Sequence, residues 1–230
     1  MQENMNNPIS IYIHIPFCVK KCAYCDFASF GGCMDRMGAY VDAVCREIRA
    51  QAAFYGRRKV RTVFFGGGTP SLLSPAQMQG IMDALRESFY IEETAEISME
   101  CNPGTVTAEK LCAYRAAGIN RLSIGVQSMD DALLSAIGRI HTKAQDLRTL
   151  QLEGQPGVFL LNPPYGERLS DQKSARELYR EIGLLLKRHP GWKLAVITAD
   201  PAFERSFGRR ADKKRRLYNG RLECEFYIYN

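Results

Sequence analysis

The sequence predicts an α/β chain built from two unequal runs. Three observations predict it. Short apolar segments alternate with amphipathic ones through residue 142. Each of the early apolar segments ends in a loop rich in Cys, Gly, Glu or Asn. After residue 157 the alternation resumes and closes on an Asn-Gly turn between two strand-like segments.

The elements follow in order. SIYIHI (10–15) reads as a strand, and Asp35 to Phe54 as an amphipathic helix. VRTVFF (60–65) is the next strand, followed by a helix from Ser74 to Phe89. Ser74 before Pro75 supplies a side-chain acceptor ahead of a residue preset for the first helical turn. AEISMEC (95–101) is a third strand, and Thr107 to Ala117 a helix that Gly118 ends. NRLSIGV (120–126) is a fourth strand, with a short helix from Asp130 to Ile137. Strands joined by crossover helices make a parallel sheet with right-handed connections. Four such βα units predict the start of a (β/α) barrel, with reactive loops at the carboxyl ends of its strands.

Those loops carry the informative residues. Cys18, Cys22 and Cys25 follow the first strand with the spacing C-x3-C-x2-C. Three thiolates can bind three irons of a [4Fe–4S] cluster and leave the fourth iron open to a ligand. Unrelated core cysteines, or a zinc site, are the other readings. Zinc normally takes four ligands in paired knuckles, and no second knuckle follows. Gly66-Gly67-Gly68-Thr69-Pro70 follows the second strand, where glycines let the backbone approach a ligand closely. Glu100 and Asn102-Pro103 follow the third strand, and Gln127-Ser128 the fourth.

With its flanks, IYIHIPFCVKKCAYCDF resembles the cluster loop of radical S-adenosylmethionine (SAM) proteins. It most resembles the branch holding oxygen-independent coproporphyrinogen III oxidases and related heme chaperones. The oxidases are expected to carry a further cysteine two residues past the last ligand, where this chain has Phe27. That departure leans toward the heme-chaperone-like branch. The resemblance implies a [4Fe–4S] cluster on Cys18, Cys22 and Cys25, whose open iron binds the amino and carboxylate groups of SAM. It implies an electron donor for the cluster, reductive SAM cleavage to a 5′-deoxyadenosyl radical, and heme or porphyrin as a further ligand. It places Tyr12 near the sulfonium or the cluster, and Gly66, Gly67, Gly68 and Thr69 at the methionyl amino group. Glu100 and Gln127 would contact the methionyl or ribose portions, and Arg139 the SAM carboxylate. Tyr12 and His14 also fit as strand residues packed against their neighbours, and Arg139 as a surface cation. The heme ligand stays open, with His14 and His141 as candidates.

Composition narrows the class. No apolar run approaches the ~20 residues of a membrane span. The polar start MQENMNNP lacks the order of a signal peptide. Eight cysteines then suggest a reducing, cytoplasmic setting rather than disulfides. Residues 1–142 hold 14 Lys+Arg against 14 Asp+Glu, and residues 143–230 hold 17 against 11, so the net +6 lies in the later part. Such a shift points to two units with different partners, the second a candidate for nucleic acid.

The family resemblance runs from about Ser10 to Thr142. KAQDLRTLQLEGQPG (143–157) carries the loop signals Gly154, Pro156 and Gly157. GVFLL (157–161) then leads into Asn162-Pro163-Pro164-Tyr165. This motif resembles the catalytic motif of SAM-dependent amino methyltransferases acting on bases. The resemblance implies that Asn162 and the Pro163 carbonyl hold the exocyclic amine, with Pro164 stiffening the loop and Tyr165 stacking on a flipped base. A helix over 172–188, a strand over 192–200 and a terminal hairpin follow. Residues 157–230 resemble the C-terminal third of a ribosomal RNA (guanine-N2) methyltransferase, the C-terminal half of its Rossmann-like sheet. The basic run Arg209-Arg210 and Lys213–Arg216 reads either as an RNA phosphate contact or as a solvated helix end. No Gly-rich cofactor loop precedes Asn162 in a methyltransferase context.

The expected organisation is therefore a partial radical SAM core over 1–142, a junction over 143–156 and a methyltransferase fragment over 157–230. One reading is a chimera of two truncated enzymes, which includes a non-functional fusion. In another, the strands near 157–161 and 193–198 complete a six-stranded barrel. The candidate activities are SAM-radical chemistry, heme delivery and N2-guanine methylation of 23S ribosomal RNA.

Overall fold

In the computed structural model the residues described are 7–125, 127, 131–142, 157–161, 163, 172–219 and 222–230. The expected junction, 143–156, lies outside them. The chain forms two compact units, Met1–Leu122 and Ser123–Asn230.

The first unit is built on parallel strands β1 (Ile9–Ile15), β4 (Lys59–Gly67) and β5 (Tyr90–Cys101); the sheet has the order β1-β4-β5-β6, and β6 (Arg121–Ile124) begins in this unit and runs past its last residue, Leu122. Two-residue strands β2 (Phe17–Cys18) and β3 (Phe30–Gly31) pair across the cysteine loop. The connecting helices are α1 (Met37–Tyr55), α2 (Pro75–Ser88) and α3 (Ala108–Ala117). This is the α/β architecture expected, with boundaries shifted. A 3-10 turn, Met34–Arg36, precedes α1, so the α-helix starts later than Asp35. β5 starts at Tyr90, because YIEET continues the strand without an apolar alternation to announce it.

Local chemistry sets the helix ends. Ser74 Oγ accepts from the Gln77 amide at 3.2 Å, and Gln77 Oε1 accepts from the Ser74 amide at 2.8 Å. This capping box satisfies two orphan donors of α2, and loss of such a cap costs about 1 kcal/mol. Thr107 Oγ1 caps the Lys110 amide at 3.2 Å. Gly118 ends α3 at φ 111, a left-handed conformation costly for residues with a Cβ. α2 buries Met78, Ile81, Met82 and Leu85 in the core that includes Ile15, Val63, Phe65, Ile97 and Met99 of the strands.

Register positions the loops. Tyr12 lies beside Phe64, His14 beside Gly66 and Ile15 beside Gly67, while Phe65 lies beside Met99. Parallel pairing therefore brings the carboxyl ends of β1, β4 and β5 to one edge, with Cys18, the glycine loop and Glu100 on it.

The second unit contains a mixed sheet of order β7-β8-β10-β9. β7 (Val158–Leu161) runs parallel to β8 (Lys193–Thr198). β10 (Leu222–Tyr229) runs antiparallel to β8 and to β9 (Lys213–Asn219). Its helices are α4 (Asp131–Ala136), α5 (Gln172–Arg188) and α6 (Phe203–Phe207). Phe159, Leu161, Tyr179, Ile182, Leu194, Val196, Phe203 and Tyr227 form its core. The solvated-helix-end reading of Lys213–Arg216 is corrected here: these residues lie in β9. β9 is paired on one side with β10, and Lys and Arg are common on such edge strands because they discourage edge-to-edge pairing.

Candidate functional site

The glycine loop is held from three sides. Gly67 has φ 117, a conformation that favours glycine. A Cβ there would come within 2.8 Å of His14 Nδ1 and 3.0 Å of the Ile15 carbonyl oxygen. A Cβ on Gly66 would meet the Tyr12 ring at 2.9 Å, and one on Gly68 would meet Cys18 Sγ at 2.9 Å and the Phe17 oxygen at 2.7 Å. Gly67 and Gly68 are thus required by close approach of the Ile15 and Phe17 backbone, whereas Gly66 faces only the side-chain rings of Phe64 and Tyr12. The Gly67 amide donates to Glu100 Oε2 at 3.1 Å, and the Gly68 amide to the Ile15 carbonyl at 2.9 Å. Thr69 Oγ1 donates to Cys18 Sγ at 3.5 Å.

Beneath the loop lies a polar lattice. Tyr114 Oη donates to the carbonyl oxygens of Leu73 at 2.5 Å and Ser71 at 3.2 Å. Lys110 Nζ donates to the Ser71 carbonyl at 2.6 Å and the Thr105 carbonyl at 3.1 Å. Ser71 Oγ in turn accepts from the Asn102 amide at 3.0 Å. Asn102 Oδ1 accepts from the Gly104 amide at 3.1 Å. Asn102-Pro103 therefore builds the turn behind the glycine loop. Ser71, Lys110 and Tyr114 carry no local sequence signal, because their role arises from contacts between distant segments.

His14 connects strand and cysteine loop. Its Nε2 bonds the Ala28 carbonyl at 2.8 Å, which fixes the proton there and leaves Nδ1 to accept from Tyr12 Oη at 2.9 Å. Tyr40 Oη donates to the His14 carbonyl at 2.7 Å. Tyr12 is 56% exposed at the strand end. Burial raises its phenol pKa, and the nearby Glu100 adds to the shift. Burial likewise raises the Glu100 carboxyl, against the opposing effects of the Gly67 amide and His14. A carboxyl with both kinds of neighbour can accept a hydrogen bond from a cationic or hydroxyl-bearing ligand and still anchor the loop.

The residues present fit an iron–sulfur cluster by their donor chemistry. Cys18, Cys22 and Cys25 are in no disulfide, with Cys18 buried and the other two partly exposed. The Cys25 amide bonds the Cys22 carbonyl at 3.1 Å, so those two share one turn. The missing Cβ of Gly68 leaves room at Cys18 Sγ. Among the described residues no three His, Cys, Asp or Glu side chains converge as a site for a single metal ion. A cluster spreads its thiolates over separate irons, so convergence on one point is not what this donor set requires. Cys33, outside the trio, turns its Sγ to the Gly31 carbonyl at 3.6 Å.

The remaining expected residues lie in the second unit. Gln127 is exposed and holds φ 71, an uncommon conformation for a non-glycine residue. Arg139 Nη2 donates to the Gly125 carbonyl. His141 is buried. Pro163 is buried just past β7, whereas Asn162, Pro164 and Tyr165 lie outside the described residues, as does Ser128.

A parallel α/β sheet with a cysteine loop and a glycine loop at one edge is the architecture of a SAM-cluster protein. The model of the radical SAM superfamily matches residues 12–158, and the chain belongs to that superfamily. The match extends past Thr142, where the recognisable motifs stop. The chain is 39% identical to the heme chaperone HemW of Escherichia coli over 85% of its own length and 53% of the relative's. It is 44% identical to HemW of a Synechocystis species over 59% of its length and 34% of the relative's. Among solved structures, coproporphyrinogen III oxidase (HemN) from Escherichia coli, described as a radical SAM enzyme, superposes at TM-score 0.67 with 28% identity. That match covers 89% of this chain and 48% of the other. The chain thus spans about half the length of the relatives it matches.

Proposed function

We propose that the first unit is a SAM-binding iron–sulfur site of the heme-chaperone type, able to cleave SAM reductively or to hand on heme. The observation that carries this reading is the packing of Gly68 and Thr69 against Cys18 Sγ. It joins the loop expected to meet the methionyl group to a thiol expected to ligate iron. Cys18, Cys22 and Cys25 would hold the cluster, which when bound supplies the electron that breaks the sulfonium bond. Gly66–Thr69 would present backbone donors and acceptors to the methionyl amino group, Tyr12 would lie near the sulfonium or the cluster, and Glu100 would contact the methionyl or ribose portion. By the same resemblance, Gln127 is proposed for the methionyl or ribose portion of SAM and Arg139 for its carboxylate. Phe27, at the position where the oxidases carry a further cysteine, supports the chaperone branch over the oxidase branch. Eight cysteines, none of them in a disulfide, support a reducing, cytoplasmic compartment. No helix among the described residues is long and apolar enough to cross a membrane.

The test is anaerobic incubation of the reconstituted protein with SAM and dithionite, read as 5′-deoxyadenosine by chromatography, beside a heme-transfer assay to an apo-acceptor. Deoxyadenosine that disappears in Cys22→Ala supports a cleaving site. Heme transfer without it supports the chaperone. Neither, in a protein that holds its cluster, defeats the proposal.

A second reading concerns residues 157–230. Pro163 lies two positions past the end of β7, and a parallel pair closed by an antiparallel hairpin suits the C-terminal half of a methyltransferase sheet. Asn162, Pro163, Pro164 and Tyr165 would then address the exocyclic amine of a ribosomal RNA guanine. Methyl transfer to ribosomal RNA that survives Cys18→Ala would support it. Sequencing single DNA molecules across codons 140–160 decides whether the two segments belong to one gene or form a chimera.

A further inference from the structure

The helix α5 is amphipathic in an uncommon way. Its buried stripe is Ala175, Leu178, Tyr179, Ile182 and Leu185. The adjacent stripe, at i, i+4 and i+11, is Arg176, Arg180 and Lys187. Between the last two lies Gly183, where a Cβ would come within 2.5 Å of the Phe207 carbonyl oxygen. The missing side chain lets α6 sit directly on α5, and α6 adds Arg205 and Ser206 to the same concavity. The result is an open hollow of about 410 Å³ lined, among the described residues, by four cations, one hydroxyl and no acidic side chain.

None of Arg176, Arg180, Lys187 and Arg205 forms an ion pair among the described residues. Glu177 and Glu181 share α5 but do not line the hollow. Glu204, next to Arg205, is engaged elsewhere: it accepts from the Ala211 amide at 2.7 Å and pairs with Lys214. Like charges gathered in one concavity repel, and no acidic side chain of the described residues lines the hollow to offset that repulsion. A multiply charged anion would. Guanidinium groups from two helices suit the separate oxygens of a phosphate, and the serine hydroxyl suits a third.

We infer that the α5–α6 hollow is a phosphate-binding site, and the excess of 17 Lys+Arg over 11 Asp+Glu in residues 143–230 points to a polyanion, a backbone phosphate of single-stranded RNA, as its occupant. The site belongs to the second unit, and it does not depend on the methyltransferase reading. The other source of the same chemistry is free inorganic phosphate.

The experiment uses the full chain and a fluorescein-labelled single-stranded RNA oligonucleotide, followed by anisotropy over a salt series. Arg176→Gln/Arg180→Gln is compared with Arg49→Gln/Arg61→Gln, which removes the same net charge from the first unit. Arg205→Gln tests the other helix, and urea midpoints check that these exposed substitutions leave the fold intact. The expected result is about tenfold weaker RNA binding for the pocket pair, with the salt dependence flattened by roughly 0.7 for each phosphate no longer neutralised. The control pair should change little. Unchanged RNA binding with an Arg180-dependent heat on titrating inorganic phosphate would keep the site and assign it to the free anion. Equal weakening by both pairs, or no effect on either probe, would overturn it.

Discussion

The Gly67 amide donates to the carboxylate of Glu100 across adjacent parallel strands, at 3.1 Å. One bond thus fixes the glycine loop to the strand that carries the site's carboxylate. Burial holds the Glu100 carboxyl above its ordinary pKa, so the fold favours its neutral form. The associated stability is full below the unfolded value, about 4.3, and is lost as pH rises through the raised folded value. Glu100→Gln should remove this part of the pH dependence, measured as urea midpoints across a pH series. Glu100→Ala should cost about 1–3 kcal/mol, because the Gly67 amide loses its acceptor.

Gly68→Ala should act on the cysteine loop rather than on the sheet. The added Cβ would meet Cys18 Sγ at 2.9 Å and the Phe17 oxygen at 2.7 Å, and backbone cannot step aside cheaply. Overpacking of this kind costs about 1–3 kcal/mol. The variant should also retain less iron after reconstitution than Gly80→Ala, whose Cβ meets nothing within 4 Å. Colorimetric iron per folded chain checks this.

Tyr114→Phe should weaken SAM binding without touching the ligand. The Tyr114 hydroxyl is buried and holds the carbonyls of Leu73 and Ser71, directly after the glycine loop. Losing it costs about 1–3 kcal/mol of stability. Calorimetric titration should show SAM affinity falling while cluster absorbance per chain stays constant.

Much of this was legible in the sequence. Apolar segments marked β1, β4 and β8, and Ser74 before Pro75 marked the start of α2. What depends on distant partners was not. β9 reads locally as a charge run because residues 213–218 are exposed, and the Asn-Gly turn after it is what marks it as one arm of the hairpin. α6, five residues long, is too short for a periodic signal. At the site, the cysteine spacing and the glycines could be read because each is local. The lock of His14 between Tyr12 and Ala28, and the Ser71–Lys110–Tyr114 lattice, join residues up to 43 positions apart, and no local pattern announces them.

The measurement that bears most directly on the central claim is iron and sulfide content, with electron paramagnetic resonance after reduction, on the anaerobically reconstituted chain. A cluster on the three loop cysteines predicts about four irons per chain and a reduced-cluster signal that SAM perturbs, both lost together in Cys18→Ala, Cys22→Ala and Cys25→Ala. A folded chain that takes up no cluster, or one whose cluster survives all three substitutions, would contradict it.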